Sequence, residues 1–162
     1  MHAESMTLDP TVIEAALQSL RGYCDSMPPV AAMRFRFDDC DGALLRMSAP
    51  LAANVNDKGS AFGGSMASLM TFAGWGLVML RLQLAGLQAD VSVADSEVRY
   101  RKPVYADLRA EAWPAEGQPW EPFLRTLMQR GRARIHLLAR VVDAEGEAAA
   151  SLAGRYVAIA KG

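Results

Sequence analysis

From Ala61 to Leu80 the chain reads AFGGSMASLMTFAGWGLVML, twenty residues without a charge. A helix of that length and composition can cross a bilayer. Several features argue for a protein interior instead. The run opens on Gly63-Gly64 and carries Gly74 and Gly76 together with two serines and a threonine. No basic cluster flanks one side only, and long stretches that alternate like strands follow it. A helix apolar on every side is also what a sheet requires when it wraps around that helix. The expectation is a buried central helix and no membrane span.

The remaining chain supplies the sheet. Asp9-Pro10 combines a capping acceptor with proline at the first helical position, and Val12, Ile13, Ala16, Leu17 and Leu20 recur at helical spacing. This predicts a helix over about 9–21, with Gly22 as its end. Met27-Pro28-Pro29 breaks the chain. Met33 to Asp38 alternate as a strand with one wet face, and Asp41-Gly42 turns into a second strand from about Ala43 to Ala49, ended by Pro50. After the apolar run, Gly86 to Asp90 connect to a strand from Val91 to Lys102. Alternation there puts Ser92, Ala94, Ser96, Val98 and Tyr100 on one face, and Asp95, Glu97, Arg99 and Arg101 on the other. Pro103 ends that strand or places it at an edge. Further strands are predicted near Asp107–Trp113, Ala133–Val141 and Glu147–Ile159. The stretch AEGQPWEPF is irregular, and Leu124–Arg130 is a short helix or part of the connection.

Strands in consecutive runs around one uninterrupted apolar helix indicate an α+β fold, not a doubly wound parallel sheet. The expected architecture is a single domain over 1–162, a curved antiparallel sheet wrapped around the central helix: the hotdog arrangement. Gly74 and Gly76 each cost roughly 1 kcal/mol inside a helix relative to alanine, and are expected where strand backbone approaches closely. A partner subunit's sheet is expected to complete the enclosure. The prediction is therefore a homodimer or homotetramer, with the Asn54–Gly64 loop near the subunit interface.

Composition narrows the function. The 162 residues are about half apolar with a net charge of −1, so no whole-chain field draws in nucleic acid or an anionic membrane. Cys24 and Cys40 form no CxxC pair and lack the density of a disulfide scaffold. Two distant cysteines with two distant histidines, His2 and His136, make no metal site. His136 shares its strand face with Arg134 and Arg140, which predicts solvent exposure. The start MHAESMTLDP has no basic flank before an apolar run, so no signal peptide is read and the cytoplasm is expected. No cofactor is expected.

The stretch Asn54-x-Asn56-Asp57-Lys58-Gly59-Ser60-x-Phe62-Gly63-Gly64, followed by Ala-Gly-Trp75-Gly within the helix, resembles the YiiD C-terminal type of thioesterase, a branch of the hotdog superfamily. The similarity extends from about Arg21 to Ala160. It implies hydrolysis of an acyl thioester carried by coenzyme A or by the phosphopantetheine arm of a carrier protein. The wider phenylacetyl-CoA thioesterase-like group has an asparagine, His-Gly-Gly six residues on, and a carboxylate within the helix. Asn56 falls on the asparagine, Phe62-Gly63-Gly64 on the His-Gly-Gly and Thr71 on the carboxylate. Histidine has thus become phenylalanine and the acid threonine, so the usual water-activating group is missing from its place. The absent histidine also argues against the dehydratase branch.

Thioester hydrolysis needs a polarised carbonyl, a water and a base or orienting group. Free N–H groups of Gly63 and Gly64 at a helix start suit a developing oxyanion; alternatively these glycines only permit the turn. Asn56 holds the water or the thioester oxygen, or scaffolds the loop through an Asx turn. Asp57, the one carboxylate of the loop, is the candidate base, or it pairs with Lys58 or caps the helix. Gly64, Ser68, Thr71 and Trp75 share one helical stripe, so Ser68 and Thr71 line a pocket or bond back to helix carbonyls. With no histidine partner visible, neither hydroxyl is expected to be a nucleophile. Phe62 and Ser65, beside the glycines, are expected substrate contacts. Arg99, Arg101 and Lys102 are candidates for the phosphates of the carrier, or a solvated face balanced by Asp95 and Glu97. The same pocket in a non-catalytic acyl-binding module is the alternative function.

Overall fold

The computed structural model describes residues 8–162; the expectations for His2 and the extreme N-terminus lie outside these residues. Six strands form one antiparallel sheet: β1 (Arg36–Cys40), β2 (Leu45–Ala49), β3 (Ala89–Tyr100), β4 (Leu108–Pro114), β5 (Arg132–Val142) and β6 (Ala148–Ala160), in the spatial order β1-β2-β4-β5-β6-β3. The apolar run forms α3 (Gly63–Leu84), which packs against β2 to β6. Leu69, Leu77, Val78 and Leu80 are completely buried. By length and hydropathy α3 passes for a membrane span, yet most of its apolar window is buried inside the molecule. This is the expected hotdog arrangement.

α1 (Pro10–Ser26) starts as predicted, with the Asp9 side chain accepting from the Thr11 amide at 2.9 Å and proline in the first turn. It does not stop at 21. Cys24 extends the buried stripe Ile13, Ala16, Leu17 and Leu20 by one turn, and the helix runs on through an exposed Gly22 to Ser26. Met27-Pro28-Pro29 breaks that helix but opens another, α2 (Pro28–Met33), because proline suits a first turn where no N–H is needed. Met33 therefore lies in a helix, not in the first strand. Arg34 takes a left-handed conformation (φ 59°), and the strand begins at Arg36. α4 (Trp120–Arg130) starts earlier than Leu124, with Trp120, Phe123 and Leu127 buried at helical spacing.

Two further expectations need correction. The alternation of β3 is interrupted by a bulge between Val93 and Asp95, which reverses the parity. Half-buried Val91 and Val93 therefore share the inner side with Val98, while Ser92 does not. A bulge adds one residue against the partner strand, so faces exchange across it. The helix glycines, for their part, make room for aromatic rings rather than strand backbone. A Cβ on Gly74 would strike the Tyr156 ring, and one on Gly76 the Phe37 ring, both within van der Waals radii.

α1 packs on both α3 and β1. One chain therefore encloses more of the central helix than the sheet alone does. A line along α3 stays only partly covered: Gly64, Ser68, Thr71, Trp75 and Met79, at i, i+4, i+7, i+11 and i+15.

Candidate active site

The loop before α3 is fixed from within. Asn56 is its hub: its side-chain oxygen accepts the amides of Lys58 (2.8 Å) and Ser60 (3.0 Å), and its amide nitrogen donates to the Ser60 hydroxyl (2.9 Å). Gly59, at φ +84°, supplies the left-handed residue that the turn requires. Asn54, which the sequence reading left without a role, is buried and donates to the carbonyls of Met33 (2.9 Å) and Pro50 (2.8 Å). Its backbone carbonyl accepts the Phe62 amide at 2.7 Å. The loop is thereby tied to the end of α2 and to the first residue before α3. An amide between apolar Ala53 and Val55 is the one sequence signal of that burial. The Asn54 side-chain oxygen is itself buried with no donor among the described residues.

At the start of α3 the backbone is extended at Phe62 (φ −64°, ψ 129°), and no side chain caps the helix. The Ser65 and Met66 amides bond back to the Phe62 carbonyl. The amides of Gly63 and Gly64 have no partner among the described residues. Two donors thus lie free at the positive end of a 22-residue helix. The Tyr100 hydroxyl, from the end of β3, donates to the Gly63 carbonyl at 3.1 Å. Phe62 is 55% exposed, and its ring lies where a Cβ on Gly64 would sit, so glycine at 64 keeps the approach to the amides narrow but open. Ser65 is buried.

Ser68 and Thr71 do line a cavity. It measures about 330 Å3, opens to the surface, and is otherwise walled by apolar groups of α2, α3 and Phe35, among them Val30, Met33 and Phe72. Trp75 shares the stripe but not the cavity; it stacks on Phe72 (4.8 Å between centroids) and meets Tyr23 edge-on. The Thr71 carbonyl accepts the Tyr156 hydroxyl at 2.8 Å.

The charged candidates are dispersed. Asp57 is 82% exposed in its side chain and pairs with Lys58 at 3.1 Å. Arg99 pairs with Glu97 at 3.5 Å, and Lys102 is held by Asp143 and Glu147, which raise its pKa above the usual lysine value. Arg101 has no carboxylate partner among the described residues. Asp95 is chelated by Arg155 at 2.6 and 3.1 Å, and that hydrogen-bonded guanidinium holds its carboxyl below the usual range, making it a poor base. Burial pushes both cysteine thiols up to about 11, so neither is a thiolate at neutral pH. His136 is exposed, as predicted. No three His, Cys, Asp or Glu side chains converge among the described residues.

An antiparallel sheet packed around an apolar central helix defines a hotdog-fold protein. The chain belongs to the YiiD C-terminal family, whose model, described as "Putative thioesterase", matches residues 17–160. A protein of unknown function from Chlorobaculum tepidum is 27% identical, with a TM-score of 0.83 over 96% of this chain and 99% of that one. A Shewanella oneidensis protein titled a putative thioesterase is 29% identical, with a TM-score of 0.80 over 90% and 99%. The Escherichia coli PaaI protein of the phenylacetic acid degradation operon shares the fold at 14% identity, with a TM-score of 0.65 over 93% and 96%.

Proposed function

We propose that the protein is an acyl-thioester hydrolase, acting in the cytoplasm on acyl groups carried by coenzyme A or by a carrier protein's phosphopantetheine. The observation that carries this reading is the pair of unpartnered amides at Gly63 and Gly64, beside a cavity with apolar walls. The thioester carbonyl oxygen accepts from these amides, and the acyl chain enters the cavity between α2 and α3. Water adds to the carbonyl carbon while its proton passes to the Asp57 carboxylate. The tetrahedral intermediate, its oxyanion held by the amides and the helix dipole, collapses with cleavage of the carbon–sulfur bond. The thiolate takes up a proton, and the products are a carboxylic acid and a thiol. Asn56 acts by holding the loop, since its side chain is engaged there three times. Phe62 flanks the entrance, Ser65 lies buried in the first turn of α3, and Arg101 is the cation of its cluster without a carboxylate partner among the described residues.

The working unit of this proposal is a homodimer built on β3. That strand is twelve residues long and, among the described residues, pairs only with β6. A long open edge of this kind invites another strand. β1, the opposite edge, has five residues, a bulge, and α1 packed against it. Val55, Phe62, Tyr100 and Tyr105 are exposed large apolar groups at or near the same end of the molecule as the Gly63 amide. A partner there would shield the site and dry Asp57.

A second reading, a non-catalytic acyl-binding module, draws on the exposure of Asp57 and on Thr71 where a carboxylate is usual. A panel of acyl-CoAs with a thiol-trapping reagent separates the two. Thiol release supports the hydrolase; acyl-CoA binding without release supports the module.

A further inference from the structure

A groove of about 800 Å3 runs between α4 and the outward face of β5 and β6 and shares no lining residue with the cavity between α2 and α3. Arg130, Arg132, Arg134 and Arg155 line it, with no aspartate or glutamate of the described residues among its walls. Arg155 is committed to Asp95, whereas the other three make no ion pair with a described carboxylate. Arg134 stands across the ladder from Val157 and diagonal to Arg155, and His136 faces Arg155 directly. The diagonal pair of guanidinium groups, Arg134 and Arg155, repels. In a chain of net charge −1, this concentration of guanidinium groups calls for an anion.

The groove is remote from the start of α3. Tyr100, which touches Gly63, pairs with Ala150, and Ala150 pairs with Val141. Arg134 lies seven residues further along β5, roughly 24 Å at about 3.4 Å per residue. Its shape favours a small molecule. Pro119, Pro122 and Phe123 of the α4 segment give it one apolar wall and Val157 another, the mixture of apolar lining and a few convergent polar groups typical of ligand sites. A flat acidic protein surface would leave such a recess unfilled, and an extended nucleic acid would need a longer basic track.

We propose that this groove binds a nucleotide-like organic phosphate, its phosphates held by the forked donors of Arg130, Arg132 and Arg134 and its body set against Phe123 and the prolines. The inference does not depend on the hydrolase reading. Free nucleotides and the nucleotide end of coenzyme A share this chemistry.

Calorimetric titration of the full chain with ADP, coenzyme A and inorganic pyrophosphate tests it. ADP is expected to bind and pyrophosphate to bind more weakly. The double variant Arg132→Gln/Arg134→Gln should lose at least about tenfold in ADP affinity, a loss of about 1.4 kcal/mol, with an unchanged melting temperature. Arg125→Gln removes a charge from α4 that pairs with Glu121 outside the groove, and should change affinity less than about twofold. Coenzyme A bound more tightly than ADP, and weakened by the same double variant, identifies the thioester carrier as the ligand; equal affinities identify a free nucleotide. Coenzyme A binding that ignores the double variant belongs to the α3 site. That outcome without ADP binding overturns the proposal, as does ADP affinity unchanged by losing both arginines.

Discussion

The Tyr156 hydroxyl donates to the Thr71 carbonyl at 2.8 Å, and the same ring fills the space that a side chain on Gly74 would need. The last strand is thus keyed into the central helix at one turn. Tyr156→Phe should cost about 1 kcal/mol, the net worth of one buried hydrogen bond. Gly74→Ala gains about 1 kcal/mol of helix propensity but forces a collision costing about 1–3 kcal/mol, so it should destabilise. Gly22→Ala in α1 meets nothing within 4 Å and should stabilise by up to about 1 kcal/mol. Urea unfolding of the three variants checks the signs.

Alkaline stability follows from burial. Cys24 and Cys40 are lifted from 9.0 to about 11, and burial raises Tyr156 as well. Each group is neutral when protonated and holds its proton more tightly when folded, so its contribution is whole below pH 9. It is lost as the pH rises toward 11 and beyond. Cys24→Ala should therefore show a shallower fall in unfolding free energy between pH 9 and 11 than the parent. Parallel curves would deny Cys24 any share.

The Asn56 hydrogen bonds change what its removal does. A purely catalytic Asn56 would leave stability alone; a loop hub would not. Asn56→Ala should lower the melting temperature by several degrees, from about 1–2 kcal/mol of lost loop bonding, and reduce turnover with it. Asn56→Asp keeps the oxygen that accepts the Lys58 and Ser60 amides and should recover most of the stability.

The sequence made the sheet, the buried helix and the stripe through Ser68 and Thr71 legible, because periodicity and absence of charge are local signals. It did not reveal where α1 ends, since the burial of Cys24 in a helix that packs on α3 and β1 is a tertiary fact that outweighs the propensity of Gly22. The bulge at Val93/Asp95 was hidden for a related reason: one inserted residue leaves composition untouched and exchanges faces. Asn54 and Asn56 look alike in a loop, and only the surroundings make one a buried anchor and the other a turn hub. The arginine groove joins α4 to two strands, so spacing along the chain could not show it.

Assembly is testable without a substrate. Light scattering at micromolar concentration should give at least a dimer. Val98→Lys, near the middle of the open edge strand and half-buried on its inner face, tests stability rather than pairing. Ser96→Pro on β3 tests pairing, because proline prevents a strand from being extended by a neighbour. It should shift the population toward monomer and lower any turnover. A stable parent monomer would count against the dimer.

In the proposed mechanism the free amides at the start of α3 hold the thioester oxygen, and one substitution removes a single amide proton there. Proline is favoured at the first position of a helix, and Phe62 before it already has the extended backbone that proline demands. A Cβ at 63 meets the Tyr100 ring at an ordinary 3.4 Å. Gly63→Pro should therefore fold, and its kcat for the best acyl-CoA should fall by about 10²–10³-fold, as when one oxyanion donor is lost. Gly63→Ala, which keeps the N–H, should stay within about threefold of the parent if the donor is what matters. A Gly63→Pro enzyme with the parent's kcat would show that the Gly63 amide does not hold the oxyanion.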